Sequence, residues 1–148
     1  GTCWSEGRGT EQPFEQTGYP DKRMGSHTFT PQSISGAHAP KHEGKVCYGP
    51  DLTEYTVEPG INIEILTDIA ASSKAAGVSL ITRPQFFDLL AGGPTLRQQL
   101  ESGVSPEAIR AGWQADLHDY ISMRARYLLY PDCRYGCSTG ERCCSATR

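Results

Sequence analysis

The chain changes character at Pro59-Gly60, and this break limits its architecture more than any other feature. Residues 1–59 are rich in Gly, Pro, Thr and Ser, which favour turns over long regular elements. Short strands are expected at HTFT (27–30), KVCYG (45–49) and EYTVE (54–58), with a loop over 31–44 between the first two. Their in-out alternation is weak, so they are expected to be edge strands packed on something larger. After Gly60 the pattern turns helical. Ile61, Ile65, Ile69 and Ala70 share one face of a helix ending at Gly77, and VSLIT (78–82) is extended. Pro84 and Pro94 each open a further helix, and Gly103 closes the second of them. Ser105-Pro106 starts a fourth, running to about residue 127. Its stripe of Ile109, Trp113, Leu117, Tyr120 or Ile121, and Leu128 is expected to face a core. YLLYP (127–131) ends it, because the residue before a proline disfavours helix. The expected class is therefore α+β: a small mixed or antiparallel sheet, three to four packed helices and a disulfide-rich C-terminal tail.

That tail is expected because four of the six cysteines, Cys133, Cys137, Cys143 and Cys144, fall in the last sixteen residues. Cys3 and Cys47 lie far upstream. An even count with one dense cluster points to disulfides and to a secreted or extracellular location. Zinc fits less well, since the C-x3-C-x5-C-C spacing lacks the usual C-x2-C pairs. Adjacent Cys143 and Cys144 need separate partners, so Cys3 or Cys47 would tie the opening loop to the body. The expected division is a domain over 1–131 and a cysteine-rich tail over 132–148. A net charge of -3, with Lys and Arg dispersed, argues against nucleic acid as a partner. No segment approaches the roughly 18 apolar residues of a membrane span.

The stretch with most chemical promise is SEGRGT (5–10). Gly7 and Gly9 permit turns and close backbone approach, so Glu6 and Arg8 can be offered to a ligand as one carboxylate and one guanidinium. An internal Glu6–Arg8 ion pair is the plainer reading. Glycoside hydrolysis wants two carboxyl groups, and Asp51 or Glu54 are the second candidates within the chain. Trp4 and Tyr48 are candidates to stack on a sugar, though either suits a core equally. His27 opens a strand beside the glycine-rich loop and is a candidate donor to a ligand. His38 and His42 are separated by Pro40 and do not form a helical metal motif. His118 adjoins the stripe of the last helix. No dinucleotide fingerprint, phosphate-binding loop or nucleophile elbow is present, and no cofactor or metal is expected.

SEGRGT followed by PFE and GYP resembles the carboxy-terminal half of the exo-β-N-acetylmuramidase family, glycosidases of peptidoglycan recycling. The stretches FTPQSISGAHAPKHEGKVCYGPDL (29–52) and FFDLLAGGPTLRQQLESGVSPEAIRAGWQADLHDYISMRARYLLY (86–130) extend the resemblance over residues 1–131. Set against the family motif EGTNxSEGRGT, Gly1 and Thr2 fall on Gly-Thr and Glu6 on the second glutamate. Cys3-Trp4 replaces the usual polar pair. The resemblance implies a carbohydrate cleft and puts Glu6 on a motif glutamate as the catalytic candidate; Arg8, Trp4, His27, Tyr48 and Asp51 stand beside it as ligand-binding candidates on the reading of the residues themselves. It also implies that an amino-terminal Rossmann-like domain supplies the rest of the cleft. A chain starting inside the motif is expected to be a cleaved or truncated piece, partnered by a chain from the same precursor. By itself it is expected to lack a complete active site. It would bind an amino sugar or peptidoglycan fragment, or serve as half of a split glycosidase. The alternative is a non-catalytic, disulfide-stabilised structural or protein-interaction domain.

Overall fold

The computed structural model describes residues 1–53, 55–56 and 60–130. The chain divides into two compact units, Gly1–Pro106 and a second from Glu107 onward. In the first unit the glycine-rich half holds two strands, β1 (His27–Phe29) and β2 (Cys47–Gly49). They pair antiparallel with His27 opposite Gly49 and Phe29 opposite Cys47. The α+β expectation holds in this form, with a two-stranded antiparallel sheet and four α-helices among the described residues. Isolated bridges extend the pairing: Tyr19 joins Tyr48, Gly18 joins Ser5, and Thr2 joins Ile81. Gly49 is required where β2 passes Thr17, because a Cβ there would collide with the Thr17 carbonyl. The third expected strand is not formed where it is described, since Tyr55 and Thr56 pair with nothing in a sheet. Residues 54 and 57–59 lie outside the described residues.

Helices α1 (Glu64–Ala75), α2 (Pro84–Ala91) and α3 (Thr95–Ser102) complete the first unit. Pro84 begins α2, where a missing N–H costs nothing, and Gly92 ends it in the left-handed conformation at φ 81°. Gly103 does the same for α3 at φ 75°, whereas Pro94 caps α3 from just outside. The bidentate Arg97–Asp88 pair, at 2.8 and 2.9 Å, joins α2 to α3. These hydrogen bonds from Arg97 hold the Asp88 carboxyl below its ordinary value.

The core is built on Trp4, Met24 and Leu80, with Leu66, Ile69 and Ala70 of α1 packed against them. The working face of α1 is thus Leu66, Ile69, Ala70 and Ser73, which keeps Ile69 and Ala70 of the expected stripe and adds Leu66 and Ser73. Ile61 precedes the helix and is 71 % exposed. Ser73 is on that face because of Trp4: its indole N–H donates to Ser73 Oγ at 2.8 Å, and burying that polar pair sets the rotation of α1.

The second unit begins with nearly all of α4 (Pro106–Arg124), followed by a 3-10 turn at Ala125–Tyr127. Of the expected stripe Ile109 is buried and Trp113 and Ile121 are half-buried, while Leu117 and Tyr120 are 41 % and 55 % exposed. The core-facing expectation is corrected here. Among the described residues of this unit no second layer exists to cover the stripe. No helix among the described residues is long and apolar enough to cross a membrane.

The expected disulfides at Cys3 and Cys47 are also corrected, since both are free thiols. Cys47 is fully buried in β2, with Sγ directed at the Lys45 carbonyl at 3.7 Å. Cys133, Cys137, Cys143 and Cys144 lie outside the described residues. Burial pushes the Cys47 thiol up from 9.0 to about 11, and raises Cys3 as well. An unfolded thiol ionises first, so this contribution to stability is complete below pH 9.0 and is lost as pH rises toward about 11. We expect the melting temperature of the wild type to fall more steeply across that window than that of Cys47→Ala. We also expect Cys47 to resist iodoacetamide until the protein unfolds.

Candidate functional site

Residues 1–5 run through the first unit as a thread, bridged to neighbouring chain at Thr2 and Ser5 and bent at Cys3 and Trp4. Gly1 O accepts from Thr82 N and Arg83 N, and Ser5 O accepts from Gly18 N at 3.0 Å. Between them the partners are side chains. Lys41 Nζ donates to Thr2 O at 3.1 Å and to Trp4 O at 2.7 Å. His42 Nε2 lies 2.7 Å from Cys3 O; a carbonyl only accepts, so Nε2 carries the proton. Five successive carbonyls are therefore satisfied. His42 adopts φ 62° and stands edge-on to Tyr19, with ring centres 5.1 Å apart. The residue weighed for metal binding is a backbone clamp instead. Among the described residues no group of three or more His, Cys, Asp or Glu side chains is placed to hold a metal.

Beyond Ser5 the chain folds back on itself. Gly7 and Gly9 take φ 76° and 81°. At Gly9 no Cβ would fit against the Gln32 carbonyl, so the glycine is needed for space as well as conformation. Gly9 O accepts from Gln32 N, and Glu6 O accepts from Phe14 N, both at 2.8 Å. Glu6 and Arg8 do not pair with each other. Glu6 Oε2 is 3.4 Å from Lys41 Nζ, with its side chain 41 % exposed. Arg8 is exposed, its guanidinium over the Phe14 ring at 5.7 Å from the centroid. Among the described residues no carboxylate pairs with Arg8.

A second network reaches the loop from below. The Thr10 hydroxyl donates its one proton to Gly7 O at 2.7 Å, so it must accept from Gln16 Nε2, also at 2.7 Å. That turns Gln16 Oε1 toward His27 Nε2, 2.7 Å away, and places a proton on that nitrogen. The other ring nitrogen, Nδ1, lies 3.6 Å from Asp51 Oδ2. Asp51 is lowered below the ordinary carboxylate value, first by the Thr53 backbone N–H, then by the Thr53 hydroxyl, with a further contribution from His27. His27 and Asp51 thus belong to one chain of contacts ending at the SEGRGT backbone. Asp51 is engaged by Thr53 and His27, and no contact joins it to Glu6. Glu54 lies outside the described residues.

The other candidates go elsewhere. Trp4 is 3 % exposed and serves the core, and Tyr48 is half-buried against it. A cleft of about 250 Å³ opens between α1 and the end of β2, lined by Trp4, Met24, Tyr55, Ile65 and Asp68. Neither Glu6 nor Arg8 lines it. Sequence reasoning missed Lys41, Gln16, Thr10 and Phe14. Only Phe14 carried a signal, as the aromatic two residues before Gln16 in an otherwise polar loop.

A loop of this build sits within a known family of carbohydrate-active proteins. Residues 1–130 match the family described as Exo-beta-N-acetylmuramidase NamZ, C-terminal. The chain belongs to that family. It is 28 % identical over 151 residues to the peptidoglycan beta-N-acetylmuramidase NamZ of Bacillus subtilis (strain 168), an alignment covering 88 % of this chain and 34 % of that protein. It is also similar to the crystal structure of a DUF1343 family protein from Bacteroides fragilis NCTC 9343, with TM-score 0.78 and 35 % identity, over 89 % of this chain and 38 % of that one. The chain spans little more than a third of the length of these relatives.

Gln16 is 4 % exposed and holds two polar partners at once. We expect Gln16→Leu to cost about 1 kcal/mol in urea denaturation, because it removes two hydrogen bonds from the half-buried Thr10 hydroxyl and His27 ring. Loss of a slowly exchanging His27 Nε2 proton in NMR spectra would accompany it.

Proposed function

We propose that this chain forms one wall of the sugar-binding cleft of a peptidoglycan glycoside hydrolase, with SEGRGT facing a muramic-acid-type amino sugar. The observation that carries this reading is the separation of Glu6 from Arg8. Glu6 is paired on one side by Lys41 and accessible on the other, while Arg8 is exposed with no acidic partner among the described residues. An unpaired guanidinium beside an accessible carboxylate suits a sugar bearing its own carboxylate. N-acetylmuramic acid has one on its lactyl ether, and N-acetylglucosamine has none. Glycoside cleavage needs a second carboxyl group across the bond, about 5–5.5 Å from the first in retaining enzymes and 6.5–9.5 Å in inverting ones. Among the described residues no contact brings Asp51 to Glu6, and this reading takes the partner of Glu6 from the part of the family's proteins outside this match. Glu6 supplies one of two catalytic carboxyls, and Lys41 supplies fixed positive charge beside it.

Exposed apolar side chains on α2 favour a role in association as well. Leu89 and Leu90 are 78 % and 71 % exposed, on a helix that buries no residue. An amino-terminal portion of the same protein is the occupant this reading requires. A secreted or extracellular location rests on the four tail cysteines, because Cys3 and Cys47 are free thiols.

The test is sugar binding followed by NMR titration. Arg8→Ala is expected to weaken N-acetylmuramic acid about tenfold, the scale of a charge-assisted hydrogen bond, and to leave N-acetylglucosamine unchanged. Equal losses for both sugars, or none for either, would contradict the assignment. Glu6→Gln is expected to keep the fold and most of the binding while abolishing hydrolysis in a polypeptide containing the rest of the cleft.

A further inference from the structure

Phe14 is costly where it stands. Its φ of 69° is a left-handed conformation that a bulky L-residue seldom adopts. The residue is 67 % exposed, so little apolar burial offsets that strain. Residues 11–15 are all exposed, and a glycine or asparagine would make the same turn more easily. What the arrangement does achieve is position. The Phe14 N–H is bonded to Glu6 O at 2.8 Å, so the ring is tied to the backbone of the candidate carboxylate. The Arg8 guanidinium lies over the same ring. Exposed strain beside charged side chains is the pattern of a residue held for a ligand.

We propose that Phe14 is the stacking platform for the pyranose ring of the bound amino sugar. The apolar C–H face of a pyranose packs on an aromatic ring, and the electron-rich ring at the same time steadies the Arg8 cation. Phe14 and Arg8 then divide recognition between them. The ring takes any amino sugar of suitable shape, and the guanidinium selects the one carrying a carboxylate. This inference rests on the proposed function, which it deepens by assigning the sugar ring and its acidic substituent to separate residues.

The two roles give opposite signatures, which makes the test sharp. Phe14→Gly relieves the backbone strain, so its thermal midpoint is expected to stay level or rise by about 2–4 °C. Its affinity for both N-acetylmuramic acid and N-acetylglucosamine is expected to fall about five- to tenfold, the scale of an aromatic contact. Phe14→Trp should restore that affinity. In the wild-type complex, the sugar protons on the stacked face should shift upfield. Unchanged affinity in Phe14→Gly, whatever its stability, overturns the platform and leaves the muramic-acid reading standing. A loss that Phe14→Trp does not restore also overturns it, and points to packing or to a protein partner on this ring. If the wild type binds neither sugar, the functional reading fails and the platform with it.

Discussion

Five consecutive carbonyls, Gly1 to Ser5, have to be satisfied while the chain passes through the first unit, and much of the rest is arranged around them. A buried carbonyl without a partner costs on the order of 1–3 kcal/mol, so the thread is held only if its surroundings answer it. Residues 82–83 answer at one end and Gly18 at the other. In the middle no strand is alongside, and the side chains of Lys41 and His42 take the place of a ladder. That need explains the left-handed turn at His42 and the run of residues 40–45 beside the loop. It explains the rotation of α1 too, because Trp4, carried by the thread, must bring its N–H to Ser73.

The functional loop inherits its shape from this thread. SEGRGT leaves Ser5 already fixed, is turned by Gly7 and Gly9, and is closed by Thr10 on Gly7 O. From the other side Gln16 links Thr10 to His27 and so to Asp51. Lys41 belongs to both systems, holding two carbonyls of the thread and the carboxylate of Glu6. Stability and site are joined at that ammonium. The aromatics divide in the same way: Trp4 is buried under the loop, and Phe14 is displayed on it.

Much of this was legible in the sequence, and the exceptions have physical causes. Pro84, Gly92, Pro106 and Gly103 mark helix ends because their backbone preferences are local. The family resemblance was legible in SEGRGT and the YLLY ending, and the family match covers residues 1–130. On α1 the expected Ile69 and Ala70 do face the core, but Ser73 was missed because its partner is a tryptophan sixty-nine residues away, through a hydrogen bond that no hydrophobic pattern counts. The stripe of α4 is apolar in sequence yet largely exposed, since periodicity records that a face wants cover without naming the cover. The upstream cysteines looked like disulfide partners by count alone, and Cys47 instead fills a buried strand position. Lys41 and Gln16 were invisible because their partners, two carbonyls and a carboxylate for Lys41 and a hydroxyl and a histidine for Gln16, form no local pattern.

Hydrogen exchange at the amides of Cys3, Ser5 and Gly18 tests the central claim most directly. These N–H groups bond to Leu80 O, Gly18 O and Ser5 O at 2.8, 2.7 and 3.0 Å. If the thread is the fixed support of the loop, they exchange as slowly as the amides in the middle of α1, through opening of the whole unit. Exchange as fast as that of the exposed loop residues Ser35 and Gly36 would contradict it.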